Sequence, residues 1–292
     1  MSKNLPLGIL TLFTSLDATA QALVNAAWDA SHKAYCFQSN FPVGSAILAA
    51  NEAGEERVFS GCNVENRYFP ATICAERNAG TTAVGEGYTR FKMVAVVCRK
   101  IPGGSPCGLC RQFLTQFGHD AILLNIVDKD KNVRISTVGA LLPGACEAVV
   151  EAYDTLSPIE KRKVDRVLAL KAKAYVPYSK SPRGAVFYAT SEKGDKRGFA
   201  GISADNASYG GSVAPENVAM QTARTAGFTR NVSLFVSVED VHGHNPIDGE
   251  VLQVLREFGI DSPVVLVGPD RSILRTALTS LLPDSFGPDA LG

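Results

Sequence analysis

What this sequence lacks narrows it first. None of its apolar runs approaches the ~20 residues that a bilayer-spanning helix needs, so no membrane partner is expected. Neither sign of charge dominates: 29 Lys and Arg balance 29 Asp and Glu, and no basic cluster stands out. A dedicated nucleic-acid binder carries a basic excess, so the balance argues against a DNA or RNA partner and for a small-molecule one. Histidine is scarce as well. None of the four has a ligand-like partner, and His242 and His244 fall in a Gly/Asn/Pro-rich loop as exposed residues. Seven cysteines, an odd number in a chain too large to need disulfide staples, point to free thiols in a reducing compartment. Residues 5–16, apolar and preceded by Lys3, faintly resemble a secretory signal, but Pro6 and Gly8 interrupt them. The cytoplasm is the expected location.

A chain of 292 residues with 46% apolar content suits two domains, each able to bury a core. An internal repeat points the same way, at an offset of 140 residues. Ala34-Tyr35 recurs as Ala174-Tyr175, and Gly61-Cys62-Asn63-Val64-Glu65-Asn66 as Gly201-Ile202-Ser203-Ala204-Asp205-Asn206. Cys74-Ala75-Glu76 falls on Ala214-Pro215-Glu216, Pro106 on Pro246, and Leu141-Leu142-Pro143 on Leu281-Leu282-Pro283. One ungapped register across these landmarks reads as a duplicated domain, with boundaries at 1–152 and 153–292. Each copy is expected to open with an amphipathic helix, over 17–33 and 158–174. In the first copy, strands at 43–50 and 57–60 precede a helix from Ile73 that carries Cys74-Ala75-Glu76. A buried strand at 93–98, a turn at Pro102-Gly103-Gly104, a helix at 107–117 and a strand at 122–127 come next. Short strands alternating with helices predict an α/β layered sheet.

The chemistry concentrates in the first copy. Cys74-Ala75-Glu76 and Pro106-Cys107-Gly108-Leu109-Cys110 supply three thiolates and one carboxylate that is not a ligand. Catalytic zinc takes three protein ligands and keeps a fourth position for water, which is the count here. A C-x-x-C at a helix start converges both sulfurs near the positive end of the helix dipole, which lowers thiol pKa. Glu76 lies two residues beyond Cys74, placed to reach that water. Zinc deaminases carry this set, with a non-ligand Glu as general acid and base. A closed structural zinc site would need a fourth Cys or His, and Cys62 and Cys98 are the candidates; a redox C-x-x-C is the other alternative. Three thiolates leave the cluster negative, so Arg77 and Arg111, each adjacent to a site residue, are expected to hydrogen-bond the sulfurs.

These residues resemble the cytidine deaminase family. Its successive landmarks read here as Phe41-Pro42-Val43-Gly44, Gly61 to Asn66, Cys74-Ala75-Glu76-Arg77 and Pro106-Cys107-Gly108-Leu109-Cys110-Arg111-Gln112. The resemblance implies two copies of a three-layer α/β/α domain with a mixed sheet, and hydrolytic deamination of cytidine and deoxycytidine with Zn²⁺ held by Cys74, Cys107 and Cys110. It implies that Glu76 shuttles the proton, that Asn63 and Glu65 hold the ribose hydroxyls, that Phe41 stacks on the pyrimidine, and that Ala75 offers its backbone to the base edge. A turn-forming role for Asn63 and Glu65, and a core role for Phe41, are the alternatives. In the second copy, Ala214, Ile247 and Glu250 stand at the 140-residue offset from the three cysteines, so no metal site is expected, and Glu216 reads as relic or structural.

The two-domain layout resembles the dimeric members of that family, whereas Cys as the first ligand resembles the single-domain tetrameric ones. A homodimer of four deaminase-like domains, a pseudo-tetramer, is the implied assembly. Tetrameric relatives place a C-terminal aromatic in a neighbouring site. Ser285-Phe286-Gly287-Pro288 resembles that segment, while the first copy has Gly144-Ala145-Cys146 there. Phe286 is therefore expected either to complete the pocket, from its own chain or its partner, or to plug its own domain. Two other functions compete: a polynucleotide-editing enzyme, disfavoured by charge balance and by Glu65, and a non-catalytic zinc scaffold, disfavoured by an intact Glu76.

Overall fold

The computed structural model of the protein describes residues 8–143, 149–243 and 246–288. Residues 5–7 of the signal-like stretch, residues 144–146 and His244 lie outside the described residues. Two units compose the chain, one of residues up to Leu142 together with those from Pro283, the other of Pro143–Leu282.

The first unit runs β1 (Ile9–Thr11), α1 (Ala18–Ser31), β2 (Val43–Ala50), β3 (Glu56–Cys62), α2 (Ala75–Gly85), β4 (Arg90–Cys98), α3 (Gly108–Gly118), β5 (Ile122–Ile126) and β6 (Val133–Thr137). Its six strands lie in the order β1-β6-β5-β4-β2-β3. The sheet is mixed: β4 and β5, joined through α3, pair parallel, and every other pair is antiparallel. Residues 9–11 thus form an edge strand of this sheet, and Ile9 pairs with Ile135.

Alternation along the strands builds three layers. Ala46, Ala95, Val97, Leu124 and Ile126 face α1, which presents Ala20, Leu23, Val24 and Ala27 at helical spacing. Ile47, Ala49, Val94, Val96 and Leu123 face the other way, against Ala79 and Ala83 of α2 and Leu114 of α3. Asp17 caps α1 by accepting the Ala20 N–H at 2.8 Å. On β3, a Cβ at Gly61 would stand 2.5 Å from the Ala79 nitrogen and 2.8 Å from the Ala75 carbonyl. Only glycine lets α2 press so closely on the strand, and that approach seats Cys74-Ala75-Glu76 on the sheet.

The second unit repeats the plan as β7 (Val150–Glu151), α4 (Pro158–Lys171), β8 (Gly184–Ser191), β9 (Lys196–Ile202), α5 (Pro215–Thr225), β10 (Phe228–Ser237), α6 (Gly249–Arg256), β11 (Pro263–Val267), β12 (Ile273–Ala277) and α7 (Leu278–Leu281). Strand order is β7-β12-β11-β10-β8-β9, and β10 and β11 are its parallel pair. The Ser157/Glu160 capping box opens α4, whose Val164 and Val167 pack on Val186, Phe235 and Val265.

Two sequence expectations need correction. The domain boundary is not 152/153: Val150 and Glu151 pair with β12 and belong to the second unit, and the residues from Pro283 belong to the first. Nor is the repeat ungapped. Val96 and Val236 are equivalent through Ser45 and Ala185, but their parallel partners are Asn125 and Leu266, one residue further apart than 140. The second copy gains one residue between β10 and α6 and loses it again between β11 and β12.

Candidate active site

Two helix starts carry the sulfurs. Cys74 is the N-cap of α2, Cys107 the N-cap of α3, and Cys110 sits one turn into α3. The Cys107 sulfur lies 3.8 Å from that of Cys74 and 3.6 Å from that of Cys110. All three lie within 4.8 Å of one another, as no other three His, Cys, Asp or Glu ligand atoms do among the described residues. A tetrahedral ion with Zn–S bonds of about 2.3 Å sets its sulfurs about 3.8 Å apart, so the donor set fits zinc in both chemistry and spacing. Sulfur–sulfur contacts with Cys110 and Cys74 hold the Cys107 thiol well below its ordinary value. The contact with Cys107, with burial, pushes Cys74 up to about 11 against the contact with Cys110, and the contacts with Cys107 and Cys74, with burial, raise Cys110. A divalent cation among them favours the thiolate form of all three.

Glu76 is 3% exposed beside the sulfurs. Burial first, and the charge of Cys74 second, push its carboxyl up to about 7, against hydrogen bonding and the Arg77 charge, which lower it. A carboxyl titrating there suits general acid and base work. The group opens on a pocket of about 270 Å³ whose wall includes Ser39, Phe41, Asn63, Glu65, Ala75 and Phe286. Thus Cys74, Cys107, Glu76 and all five residues expected at the substrate line one cavity.

Their hydrogen bonds refine what each does. Glu65 Oε2 accepts the N–H groups of Gln38 at 2.8 Å and Ser39 at 3.3 Å, and Oε1 accepts the Ser39 hydroxyl. These donors outweigh burial and hold Glu65 below the usual carboxylate range. Asn63 accepts the Val43 N–H at 2.8 Å and donates to the Phe41 carbonyl at 3.0 Å, so its amide also sets the backbone that presents Phe41. The Phe41 and Phe286 rings meet edge to face at 5.7 Å. Arg77 reaches the Thr72 carbonyl at 3.0 Å and the Cys74 sulfur at 3.9 Å, and its Nε is buried without a partner.

Arg111 departs from expectation. Its guanidinium bonds no sulfur; every donor goes to oxygen, on Ser105, Pro106, Leu141, Pro283 and Asp284.

Comparison with known proteins gives a consistent answer. Residues 17–126 match the "Cytidine and deoxycytidylate deaminase zinc-binding region". A cytidine deaminase of Sporosarcina psychrophila is 39% identical over 116 residues, 40% of this chain and 82% of the relative. A probable cytidine deaminase of Dictyostelium discoideum is 40% identical over 122 residues, 41% of this chain and 79% of the relative. This chain belongs to the cytidine deaminase family. Among solved structures, cytidine deaminase from Burkholderia pseudomallei is 36% identical, covering 44% of this chain and 98% of its own, with a TM-score of 0.39.

Within a cytidine deaminase framework the second unit's counterpart site differs from expectation. Asp248 is the N-cap of α6 where Cys107 is that of α3, so the one-residue slip puts Asp248 and Val251, not Ile247 and Glu250, at the positions of Cys107 and Cys110. Glu216, fully buried, is neither idle nor solvated. Arg183, at the position of Val43, spans its carboxylate at 2.8 and 3.0 Å and reaches Asp248 at 3.4 Å. A guanidinium therefore joins the two helix starts that three sulfurs join in the first unit. Sequence reasoning missed Asp248 because the slip hid its alignment, and missed Arg183, which stands in plain register with the apolar Val43, because only the fold brings it to Glu216. It missed Ser39 too, although Asp205 with Ser179 repeats the Glu65–Ser39 pairing at the 140-residue offset.

Proposed function

We propose that this protein hydrolyses cytidine and deoxycytidine to uridine or deoxyuridine and ammonia, a salvage reaction, at one zinc site per chain formed by Cys74, Cys107 and Cys110. One observation carries this function: three sulfurs at two helix starts share a pocket with a buried carboxyl at the metal end and an anchored carboxylate on its wall. Zinc held by Cys74, Cys107 and Cys110 would supply Lewis acidity to a bound water. Glu76 takes a proton from the attacking water and delivers it to N3 of the cytosine as the oxygen bonds C4; it then carries the remaining hydroxyl proton to the amino nitrogen, and the C4–N bond breaks to leave the C4 carbonyl and ammonia. Phe41 stacks on the ring, the Ala75 backbone meets the base edge, and Asn63 and Glu65 bind the ribose hydroxyls. Glu65, held ionised by Ser39 and two N–H groups, also repels a phosphate, which favours nucleosides over nucleotides. Arg77 offsets thiolate charge through its approach to Cys74.

The chain is read as a cytoplasmic homodimer, with exposed Tyr35, Phe37, Tyr68 and Phe69 on the first unit and Tyr175, Tyr178 and Tyr209 on the second available for assembly. Among the described residues no helix is long and apolar enough to cross a membrane. Zinc content and the ultraviolet change of cytidine, with Glu76→Ala as control, test the reading. About one zinc per chain, with turnover abolished in the variant, supports it; zinc without cytidine turnover refutes the substrate, and no zinc refutes the site.

A further inference from the structure

Arg111 is an expensive residue to leave unexplained. It is 1% exposed, and a buried guanidinium must find acceptors for its five N–H donors. It finds all five, and none is sulfur. Nε donates to the Pro106 carbonyl at 2.7 Å, and one terminal nitrogen donates to the Leu141 carbonyl at 2.6 Å and the Pro283 carbonyl at 2.5 Å. The other donates to the Ser105 hydroxyl at 3.1 Å and the Asp284 carbonyl at 2.8 Å. Three bonds therefore fix the loop that delivers Cys107 and the end of the first unit's own fold. The remaining two grip consecutive carbonyls from the far end of the sequence.

Just beyond that grip the chain becomes pocket wall. Asp284 has φ of 49°, a left-handed conformation that Asp tolerates better than most residues, and it redirects the chain immediately after the second clamped carbonyl. Two residues later Phe286 lines the catalytic pocket with its ring against Phe41. The arrangement belongs to the first unit alone. With the one-residue slip, the position of Arg111 in the second copy is Leu252, a buried apolar residue with no donors. The first copy's own continuation after Pro143 is Gly144-Ala145-Cys146, which has no aromatic to offer.

We infer that Arg111 is a positioning residue that ties the C-terminal segment into the catalytic pocket, so that Phe286 closes the substrate site from within the same chain. The end of the second copy is thereby a working part of the first. The inference rests on the deaminase reading of the pocket and adds a specific dependence to it. Through its bonds to the Pro283 and Asp284 carbonyls Arg111 reaches the substrate by way of Phe286, so the two residues must not act independently on KM.

A double-mutant cycle on the full-length zinc enzyme tests this. Phe286→Ala should raise KM for cytidine about five- to tenfold, the range of a lost aromatic contact, with a smaller change in kcat and unchanged zinc content. Arg111→Lys should raise KM to a similar degree in the full chain and add nothing in the Phe286→Ala background. Hydrogen exchange of residues 278–288 should quicken in Arg111→Lys, a readout independent of turnover. Unchanged KM in Phe286→Ala, KM effects that multiply, or unaltered exchange would each overturn the inference. If Arg111→Lys does not fold, truncation after Leu282 keeps Arg111 and removes both acceptors together with Phe286. KM must then rise as far as in Phe286→Ala, and a wild-type KM overturns the inference. Failure of the unaltered zinc protein to deaminate cytidine defeats the underlying reading instead, and the exchange measurement still decides whether Arg111 holds the segment.

Discussion

Replacing Arg183 by Ala leaves Glu216, fully buried, without its cation. Removing one partner of a buried ion pair costs about 3–5 kcal/mol, because the surviving charge keeps its desolvation penalty. For a unit of this size that lowers the unfolding temperature of the second unit by about 10–20 °C. Glu216 sets the sign with pH. Burial already raises its carboxyl above the ordinary 4.5 even though Arg183 opposes the shift, and deleting Arg183 raises it further. A carboxyl whose folded pKa exceeds its unfolded one binds more protons when folded. Stability therefore falls as pH rises from about 4.5 through the folded value. The Arg183→Ala defect is accordingly small near pH 4.5 and grows as pH rises through the folded value. Glu216→Gln in the same background should recover much of the loss, and the apolar pair Arg183→Met with Glu216→Leu should come close to wild type. Thermal melts followed by circular dichroism across pH 4.5–8 make the comparison, with cytidine turnover as the readout of the first unit. A single variant that melts like wild type at pH 8, or an apolar pair no better than the single, refutes the reasoning.

Three further outcomes are expected. Introducing Ala214→Cys, Asp248→Cys and Val251→Cys together with Arg183→Val should raise bound zinc from one to two per chain, measured by atomic absorption, whereas cysteines at 247 and 250 in place of 248 and 251 should not. Chelation should release one zinc and lower the melting of the first unit while sparing the second, with zinc restoring it; equal loss in both would contradict a single site. Glu65→Gln should raise KM for cytidine about tenfold and shrink the discrimination against a 3′-phosphorylated cytidine, measured as the ratio of kcat/KM values; an unchanged ratio would remove Glu65 from phosphate exclusion.

Local signals were legible. Cys107-Gly108-Leu109-Cys110 announces a helix start with two convergent sulfurs, the strand at Val43–Ala50 comes from its apolar run, and the α1 stripe comes from helical period. The edge strand Ile9–Thr11 was not legible, since a run of three residues becomes a strand only by pairing with β6. Arg111 read as a partner of sulfur because its neighbour in sequence is Cys110. Its true acceptors lie up to 173 residues away, where no periodicity speaks. The second copy's site failed for a different reason. A one-residue gain between β10 and α6, cancelled after β11, leaves flanking landmarks in register while displacing the two positions that matter.

The substitutions in the second unit form one set when taken as charges at helix starts. In the first unit the N-termini of α2 and α3 point at sulfur, and a cation bound among the thiolates would tie both helices to one point. Losing the cysteines alone would leave Glu216 buried at the start of α5 with nothing to neutralise it, a cost the fold could not carry lightly. Asp248 supplies the α6 start with its own carboxylate, and Arg183, where the first unit has only Val43, supplies the cation to both acids. A metal among the sulfurs and the Arg183 guanidinium would thus serve the same mechanical end, holding two helices against the sheet. They differ in that the guanidinium has no vacant coordination position for water. Hence the cysteine graft needs Arg183→Val as well: with the guanidinium left in place, the three new sulfurs should bind zinc weakly or not at all, and a full second zinc in that variant would show that Arg183 does not occupy the metal's place.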